Sequence, residues 1–527
     1  SANVRITFRS ANGDPSSVTL NFDATNTLAN YVLKLDSASY ITYQNMTITA
    51  LNSTNGRAIE LANTASFDSI LNCRINTQVS TVTTNTIAGI YADLLRGEGN
   101  VIKGNTITNG AAGIYFEGTG IGNYTFNNVI DSNTVNNSYF YGIYTGFTGN
   151  IIVSKNTVNV TAPRNTTTYG IYATSADSAY QFIGNKVDIS GITAGTTYGM
   201  YFTGCDAQAT NRGRIAGNTI TALSGNTSTL YGLYQTASTN NNTVNNVVSI
   251  STTGTTSYGT YLTGGGGVRF HNNSVLSTST SSTTSAAAYF AQTSGTLPAV
   301  NIQNNIFSNQ GGGFAMQVTN INFIFSNYNT FYTNGANLIR FGTVNYPDLQ
   351  AWINAANWDV YSIVYQPAFA STSTLFPDLA SPEVWAIHGR GTQIAGNDYD
   401  FFNNPRPTTF TDGVPDMGAY EFLPTSQPTV LTPVPATPAP GTTQTFMYGT
   451  DTVAKITYDP GAPVPSSVTL RRYSGVLPTG LSTGQLSMYF YNDLEVPAQG
   501  AYRYKMEQFY IEPWRGFIPS EPQIRMG

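Results

Sequence analysis

Charge is what this sequence has least of: Asp, Glu, Lys and Arg make up 10% of its 527 residues, against roughly a quarter in an ordinary soluble domain. The 23 basic and 28 acidic residues leave a net charge of −5, and no cluster of Lys or Arg supplies the footprint of a nucleic-acid partner. Histidine and cysteine are scarcer still, two of each. His271 and His388 stand alone, so a zinc site and a nucleophile triad both lack their parts. Cys73 and Cys205 fall in different repeats and are expected to be separate buried thiols. No apolar run reaches the ~18 residues of a membrane-spanning segment. The chain opens on Ser1 and runs directly into the strand-like "VRITFRS", as a processed or partial product would, and a missing leader leaves secretion open.

Present in abundance are Gly, Ser, Thr, Asn and Tyr, with 40% hydrophobic and 12% aromatic residues, enough for a sizeable core. A Tyr-Gly segment recurs around Gly89, Gly113, Gly142, Gly170, Gly199, Gly232 and Gly259, with Ala287 as an eighth member, at spacings of 24 to 33. About 15 residues behind each comes a second repeat, "GNTIT" or "SNTVN", at Asn105, Asn133, Asn156, Asn185 and Asn218; Asn246, Asn273 and Asn305 continue it, and Asn45 and Asn72 read as earlier copies. A period of this length marks a solenoid, and short β-branched runs between Gly, Asn and Ser make its unit a coil of strands rather than helices. Strands stacked about 4.8 Å apart turn each repeated position into a ladder. The asparagines fit a buried turn ladder, since Asn tolerates the left-handed conformation and stacked amides can hydrogen-bond from coil to coil.

Strand alternation then assigns the Tyr-Gly segment. Ile90, Ile114, Ile143, Ile171, Met200 and Leu233 face the core, flanked two residues on by Ala92, Phe116, Ala173, Phe202 and Leu262. The opposite face is expected to carry the glycines, as a shallow groove, beside a column of eight tyrosines: Tyr91, Tyr115, Tyr144, Tyr172, Tyr201, Tyr234, Tyr261 and Tyr289. The preceding tyrosines, Tyr141, Tyr169, Tyr198, Tyr231 and Tyr258, are expected in the core. An outward aromatic ladder can stack on sugars or on protein, or simply shield its own sheet.

The alternation of "GIY" strands with "N-x-I" turns resembles the secreted right-handed parallel β-helix repeat proteins of bacteria, whose fold is pectate-lyase-like. "ASYITYQNMTITALNSTNGRAIEL" is similar to their early coils. "NNPRP" (403–407) with "PDMGAYEF" (415–422), a PDxGAxE-type pattern, resembles their closing segment. The resemblance covers residues 1 to about 422 and implies an all-β, right-handed parallel β-helix of about twelve coils, some 55 to 60 Å long at the stacking distance of strands. It implies a location outside the cell or on the surface of a Gram-negative bacterium, with sorting or anchoring at the C-terminus, although "EPQIRMG" carries no matching signal. It does not fix a function, because the scaffold serves lyases, hydrolases, adhesins and structural proteins alike.

Catalysis on this scaffold needs acids or strong bases. Between Asp206 and Asp348 there is no Asp or Glu, and the basic residues are only Arg212, Arg214, Arg269 and Arg340, with His271 among them. Earlier coils place Asp93 and Glu117 two residues past successive column tyrosines, the best enzymatic pair available. In the closing segment, "NDYD" with Asp398 and Asp400 offers side-chain oxygens to calcium, but Asp412, Asp416, Glu421, Arg390 and Arg406 around it read better as an internal ion-pair network.

The domain expectation is therefore a β-helix over 1–345, a closing cap over 346–422 with a short helix at "YPDLQAWINAA", a Pro-rich linker over 423–443, and an Ig-like or fibronectin-like β-sandwich over 444–527. The function expected is non-catalytic: a structural or adhesive surface protein that binds copies of itself, other surface proteins or a polysaccharide through its uncharged Tyr-lined face. The alternatives are a polysaccharide lyase or glycosidase using Asp93 and Glu117, and a passive spacer for the terminal sandwich.

Overall fold

Runs of three residues with one inward aliphatic, such as Val101–Lys103 and Thr106–Thr108, form the strands, joined by a two-residue corner. Each pairs in parallel with its equivalent one turn on, so that Ile102, Ile130, Val153 and Phe182 stack in one inward column and Ile107, Val135, Val158 and Val187 in another. In the computed structural model, which describes residues 4–160, 166–280, 284–292, 298–480, 487–516 and 518, three long sheets of 12, 13 and 14 strands result. They wind as the expected right-handed parallel β-helix, with about 11 turns. One hydrophobic cluster runs through it from Leu35 to Ala356. Cys73 and Cys205 are free and buried, and burial pushes the Cys205 thiol up to about 12.

The corner between the first and second sheets is where the asparagine ladder forms. In each rung the backbone N–H and Nδ2 both donate to Oδ1 of the next asparagine, and Nδ2 also donates to a carbonyl of the preceding coil; for Asn133 these are Asn156 Oδ1, at 3.0 Å twice, and Ile102 O, at 2.9 Å. The ladder extends from Asn105 through Asn305 to Asn329, one rung beyond the repeat visible in the sequence. The left-handed residue is not the rung but the one before it: Gly104, Ser132, Lys155 or Gly184. Asn45 and Asn72 take that left-handed position, so they are not early rungs; Met46 and Cys73 stand at the rung, and the Cys73 N–H donates to Asn105 Oδ1 at 2.9 Å. At the far end Asn329 donates to Ser362 Oγ and Asp359 Oδ1. Burial raises the pKa of Asp359, whose other oxygen accepts the Trp352 indole at 2.9 Å.

Trp352 belongs to the expected helix, Leu349–Ala356, whose N-terminus is capped by Asp348 accepting from the Ala351 N–H at 2.8 Å. Its buried face, Leu349, Trp352 and Ala356, covers the last apolar layer. The rest of the closing stretch does something different from capping: it doubles back along the flank. Asn304 Nδ2 donates to Thr392 O at 2.8 Å, Asn272 Nδ2 to Asp416 O at 3.2 Å, and Arg406 Nη2 to Asn245 Oδ1 at 3.2 Å.

The C-terminal region forms a three-stranded antiparallel sheet (Thr443–Tyr448, Asp451–Tyr458, Tyr504–Gln508) and a two-stranded one (Thr469–Ser474, Phe490–Glu495). These do not hang on a free tether. Leu431 and Val434, within the Pro-rich stretch, bridge to Leu470 and Thr445. Phe446, Val453 and Leu470 share a hydrophobic cluster with Trp385 and with Ile306 and Ile363 of the solenoid. Residues 521–527, the expected anchoring end, lie outside the described residues.

Candidate functional site

The Tyr-Gly strands form the third sheet, among them Tyr141–Gly149, Thr168–Asp177, Thr196–Thr203, Thr229–Thr236 and Ser257–Thr263. In each, the glycine and the residue after it, aliphatic in all but Ser257–Thr263 where it is Thr260, both face inward. A Cβ on Gly142 would lie 2.3 Å from Val158 Cγ1 in the second sheet and 2.4 Å from the Gly170 carbonyl oxygen, so only hydrogen fits. Two consecutive inward residues break the alternation of the pleat, and the tyrosines on either side emerge on the same outer face.

This overturns two expectations. The glycines line no surface groove, and Tyr141, Tyr169, Tyr198, Tyr231 and Tyr258 are not in the core but form a second outward column beside the first. Parallel pairing holds both in register: Tyr141, Tyr169, Tyr198, Tyr231 and Tyr258 in one, Tyr91 through Tyr289 in the other.

Within the columns, ring centroids lie near the strand spacing: Tyr169–Tyr198 5.0 Å, Tyr198–Tyr231 5.0 Å, Tyr201–Tyr234 4.8 Å and Tyr234–Tyr261 4.9 Å, all stacked. Edge-on contacts interleave with these, both between columns, as in Tyr198–Tyr201 at 4.9 Å and Tyr231–Tyr234 at 5.2 Å, and within the outer column, as in Tyr172–Tyr201 at 4.8 Å, which suits the opposite charge of ring face and ring edge. Packing against one another raises the phenol pKa values, Tyr169 and Tyr261 to about 12, by burial first and then by neighbouring tyrosines. The face therefore stays neutral and keeps its hydroxyl protons. Among the described residues, the hydroxyls of Tyr141, Tyr169, Tyr198, Tyr231 and Tyr258 reach no protein acceptor. The surface is flat and aromatic, rimmed by open donors.

Its two ends differ. At the early end the outer column continues through Glu60 to Lys34. Arg57 lies over the Tyr91 ring, 3.4 Å from its centroid, and pairs with Glu60 at 2.8 Å; Lys34 reaches Glu60 at 3.2 Å. Asp93 and Glu117 are brought together here. Tyr91 donates to Asp93 Oδ2 at 2.8 Å, Tyr115 to Glu117 Oε2 at 2.6 Å and Tyr144 to Glu117 Oε1 at 2.8 Å. Burial raises the Glu117 pKa, the two tyrosine bonds oppose that, and nearby Asp93 adds to it. The pair is thus real in space, but both oxygens of Glu117 are committed to organising the ladder. At the late end the column runs from Tyr289 to Gln317 and Arg340.

The acidic cluster of the closing segment is an internal network. Asp400 accepts from the Phe402 and Asn404 N–H groups at 2.8 and 2.7 Å through Oδ1, and from the Glu421 N–H at 2.8 Å through Oδ2. Asp416 accepts from the Gly389 and Phe422 N–H groups, and His388 Nδ1 lies 2.8 Å from its Oδ1; Glu421 pairs with Arg406. Asp398 Oδ1 accepts from the Gly396 N–H at 3.2 Å. No group of three or more His, Cys, Asp or Glu among the described residues is placed to hold a metal ion. No described helix is long and apolar enough to cross a membrane.

The second tyrosine column had a signal in the sequence. Tyrosines three apart cannot share a face of a regular strand, so a motif repeating Tyr-Gly-x-Tyr implies a break at the glycine. The late end, Gln317 and Arg340, leaves the motif and is legible only from strand register.

No protein family and no curated protein matches the chain. Among solved structures it is similar to XylC in complex with xylose, at 11% identity and a TM-score of 0.36 over 73% of this chain and 67% of that one. It is also similar to the Dettilon tailspike protein, at 14% identity and a TM-score of 0.24 over 64% of this chain and 61% of that one. At that distance neither speaks to what this chain binds.

Proposed function

We propose that the protein is a non-catalytic, adhesive or structural protein of the extracellular space or cell surface, of a Gram-negative bacterium as the family resemblance implies, and that it binds glycan through its two-column tyrosine face. The observation that carries this reading is the ladder itself: two registered columns of neutral rings, with hydroxyls on one column left open. Pyranose rings present C–H faces to aromatic rings and hydroxyls to phenols, so such a surface offers both kinds of contact at a repeat near the strand spacing.

The test is binding of neutral oligosaccharides on a glycan array and in solution, by wild type and by the double substitution Tyr172→Ser with Tyr201→Ser. Specific binding lost in the variant, with an unchanged far-ultraviolet spectrum, is the expected outcome. Binding by neither protein, together with ordered filaments or sheets under the electron microscope, would replace glycan with copies of the chain as the partner of the same face.

One observation favours a second reading, a glycoside-cleaving enzyme: Asp93 and Glu117 do meet, and burial raises Glu117 in the manner of a general acid. That reading requires turnover of a polysaccharide that Asp93→Asn or Glu117→Gln abolishes. The commitment of both Glu117 oxygens to tyrosines argues for the binding protein.

A further inference from the structure

Arg340 closes the outer tyrosine column, two rungs beyond Tyr289, and differs from the cations at the other end of the sheet. Lys34 and Arg57 are paired with Glu60. The Arg340 side chain makes no ion pair or hydrogen bond with any described residue, and its buried Nε has no acceptor. The next rung, Gln317, also carries a buried Nε2 with no acceptor. Buried donors of this kind are ordinarily satisfied. No carboxylate from the nearby coils can serve them, because the chain holds no Asp or Glu between Asp206 and Asp348, and Asp348 caps the helix that follows.

Arg340 lines a cavity of about 350 Å³ together with Gly312, Gly313, Phe314, Asn337 and Thr343, within the size range of small-molecule sites. Phe314 continues the inner column, in register with Ala286 and through it with Tyr258, and the guanidinium lies 6.0 Å from its ring centroid. A pyranose-sized pocket thus has an aromatic wall, an amide and a hydroxyl, and a planar cation with free N–H groups.

We infer that the Arg340 cavity is an anion-reading subsite that takes the carboxylate of an acidic sugar residue, a uronate, at the late end of the tyrosine face. The guanidinium fork matches a carboxylate in two parallel hydrogen bonds. The geometry also gives the face a direction. Glu117 and Asp93 lie about eight rungs, or ~38 Å, from Arg340 at the strand spacing, and they repel at one end the anion that Arg340 attracts at the other. The inference rests on the glycan reading of the face in its choice of a sugar, while the cavity's preference for an anion stands on Arg340 alone.

The test titrates the full chain with glucuronate, glucose and inorganic sulfate, for wild type and for Arg340→Gln and Arg340→Lys. Wild type is expected to bind glucuronate at least about tenfold more tightly than glucose, less tightly at high salt. Arg340→Gln should lose that preference and Arg340→Lys should keep only part of it. Because the Arg340 side chain makes no internal polar bond, both variants should melt with the wild type, which separates loss of the site from loss of fold. Equal binding of glucose, or glucuronate binding indifferent to Arg340→Gln, overturns the proposal; sulfate binding as tight as glucuronate overturns its sugar component. Neutral-oligosaccharide binding lost in the Tyr172 and Tyr201 variant reports on the face separately, so either reading can fail without the other.

Discussion

Tyr144 donates its hydroxyl to Glu117 Oε1 at 2.8 Å across one rung of the solenoid, while Tyr115 donates to the other oxygen at 2.6 Å. One carboxylate thus pins two rings whose centroids are 4.4 Å apart and whose planes are nearly parallel. Burial raises the Glu117 pKa in the folded state. The fold therefore holds that proton more tightly than the unfolded chain does, and stability is lost as pH rises above the ordinary carboxylate value. Glu117→Gln keeps an acceptor and removes the charge. It is expected to melt at or above the wild type near pH 7 and to converge on it near pH 4. Thermal melts at the two pH values check this, and a variant that melts lower at neutral pH would show that the two tyrosine bonds outweigh the cost of burying the charge.

Asp68 stands at the same coil position as Asn100 and Asn128. Its N–H donates to Asn100 Oδ1 at 3.1 Å, as the Asn100 N–H does to Asn128 Oδ1 at 2.9 Å. Burial pushes its carboxyl up to about 6, against the Ile41 N–H bond and the charge of Arg5, and Oδ2 has no partner. The folded pKa is above the unfolded one, so the penalty is absent below about pH 4 and complete above about pH 6. Asp68→Asn places a neutral amide where the next two coils already carry one. It is expected to stabilise the protein at neutral pH, with the gain vanishing on acidification, as read by denaturant titration at each pH.

In the main ladder, Asn185 donates to Val153 O at 2.9 Å and to Asn218 Oδ1 at 3.0 Å, and accepts from the backbone and side chain of Asn156. Asn185→Leu would leave the Asn156 N–H and one N–H of the Asn156 Nδ2, both buried, without an acceptor. A loss of about 3 kcal/mol or more is expected, since each stranded group costs about 1–3 kcal/mol. Cys73 already holds a rung position at the ladder's start without such a loss, because its own N–H still finds Asn105 Oδ1 and no earlier asparagine depends on it. Equal destabilisation by Asn185→Leu and by Cys73→Ala would mean that the amide ladder contributes little.

The repeat made the solenoid, its core columns and the asparagine ladder legible, because a residue recurring once per coil has to stack on itself. Asp93 and Glu117 were placed together by the same logic, counting from successive tyrosines. Strict strand alternation separates Tyr141 from Tyr144 and misses the local break that sends both to one face; the glycine recurring between the two tyrosines is the one sign of it in the repeat. Also hidden were contacts between parts that do not repeat. Arg406 reaching Asn245 joins residues far apart in sequence through a fold-back that no periodicity encodes, and Arg340 acquires meaning only from register with Gln317 and Tyr289.

The break itself can be tested at Gly170. A Cβ there would stand 2.3 Å from Val187 Cγ1 and 2.5 Å from the Gly199 carbonyl oxygen. Gly170→Ala should cost about 1–3 kcal/mol by overpacking, although alanine in an ordinary strand would be tolerated. Pairing it with Val187→Ala, which removes the opposing methyls, should recover part of the loss. Additive destabilisation in the double variant would place the strain in the backbone of the neighbouring coil instead of in the second sheet.

The C-terminal sheets make the strongest contrast with a beaded arrangement of solenoid, linker and sandwich. Trp514 is buried to 1% exposure and donates its indole N–H to Gly389 O at 2.6 Å. Ser474 Oγ donates to His388 O at 2.7 Å, Tyr365 stacks on Tyr448 at 4.9 Å, and Arg390 pairs with Asp451. A chain ending at residue 422 would expose Ile363, Val384 and Trp385, which now lie in a cluster with Phe446, Val453 and Leu470. The full protein is therefore expected to unfold in one calorimetric transition, and Trp514→Ala, at a cost of about 3 kcal/mol or more, should lower that single transition rather than split off an early one. Two separate transitions, with only the first sensitive to Trp514→Ala, would restore the C-terminal region to an independent domain and leave the solenoid to be stable alone.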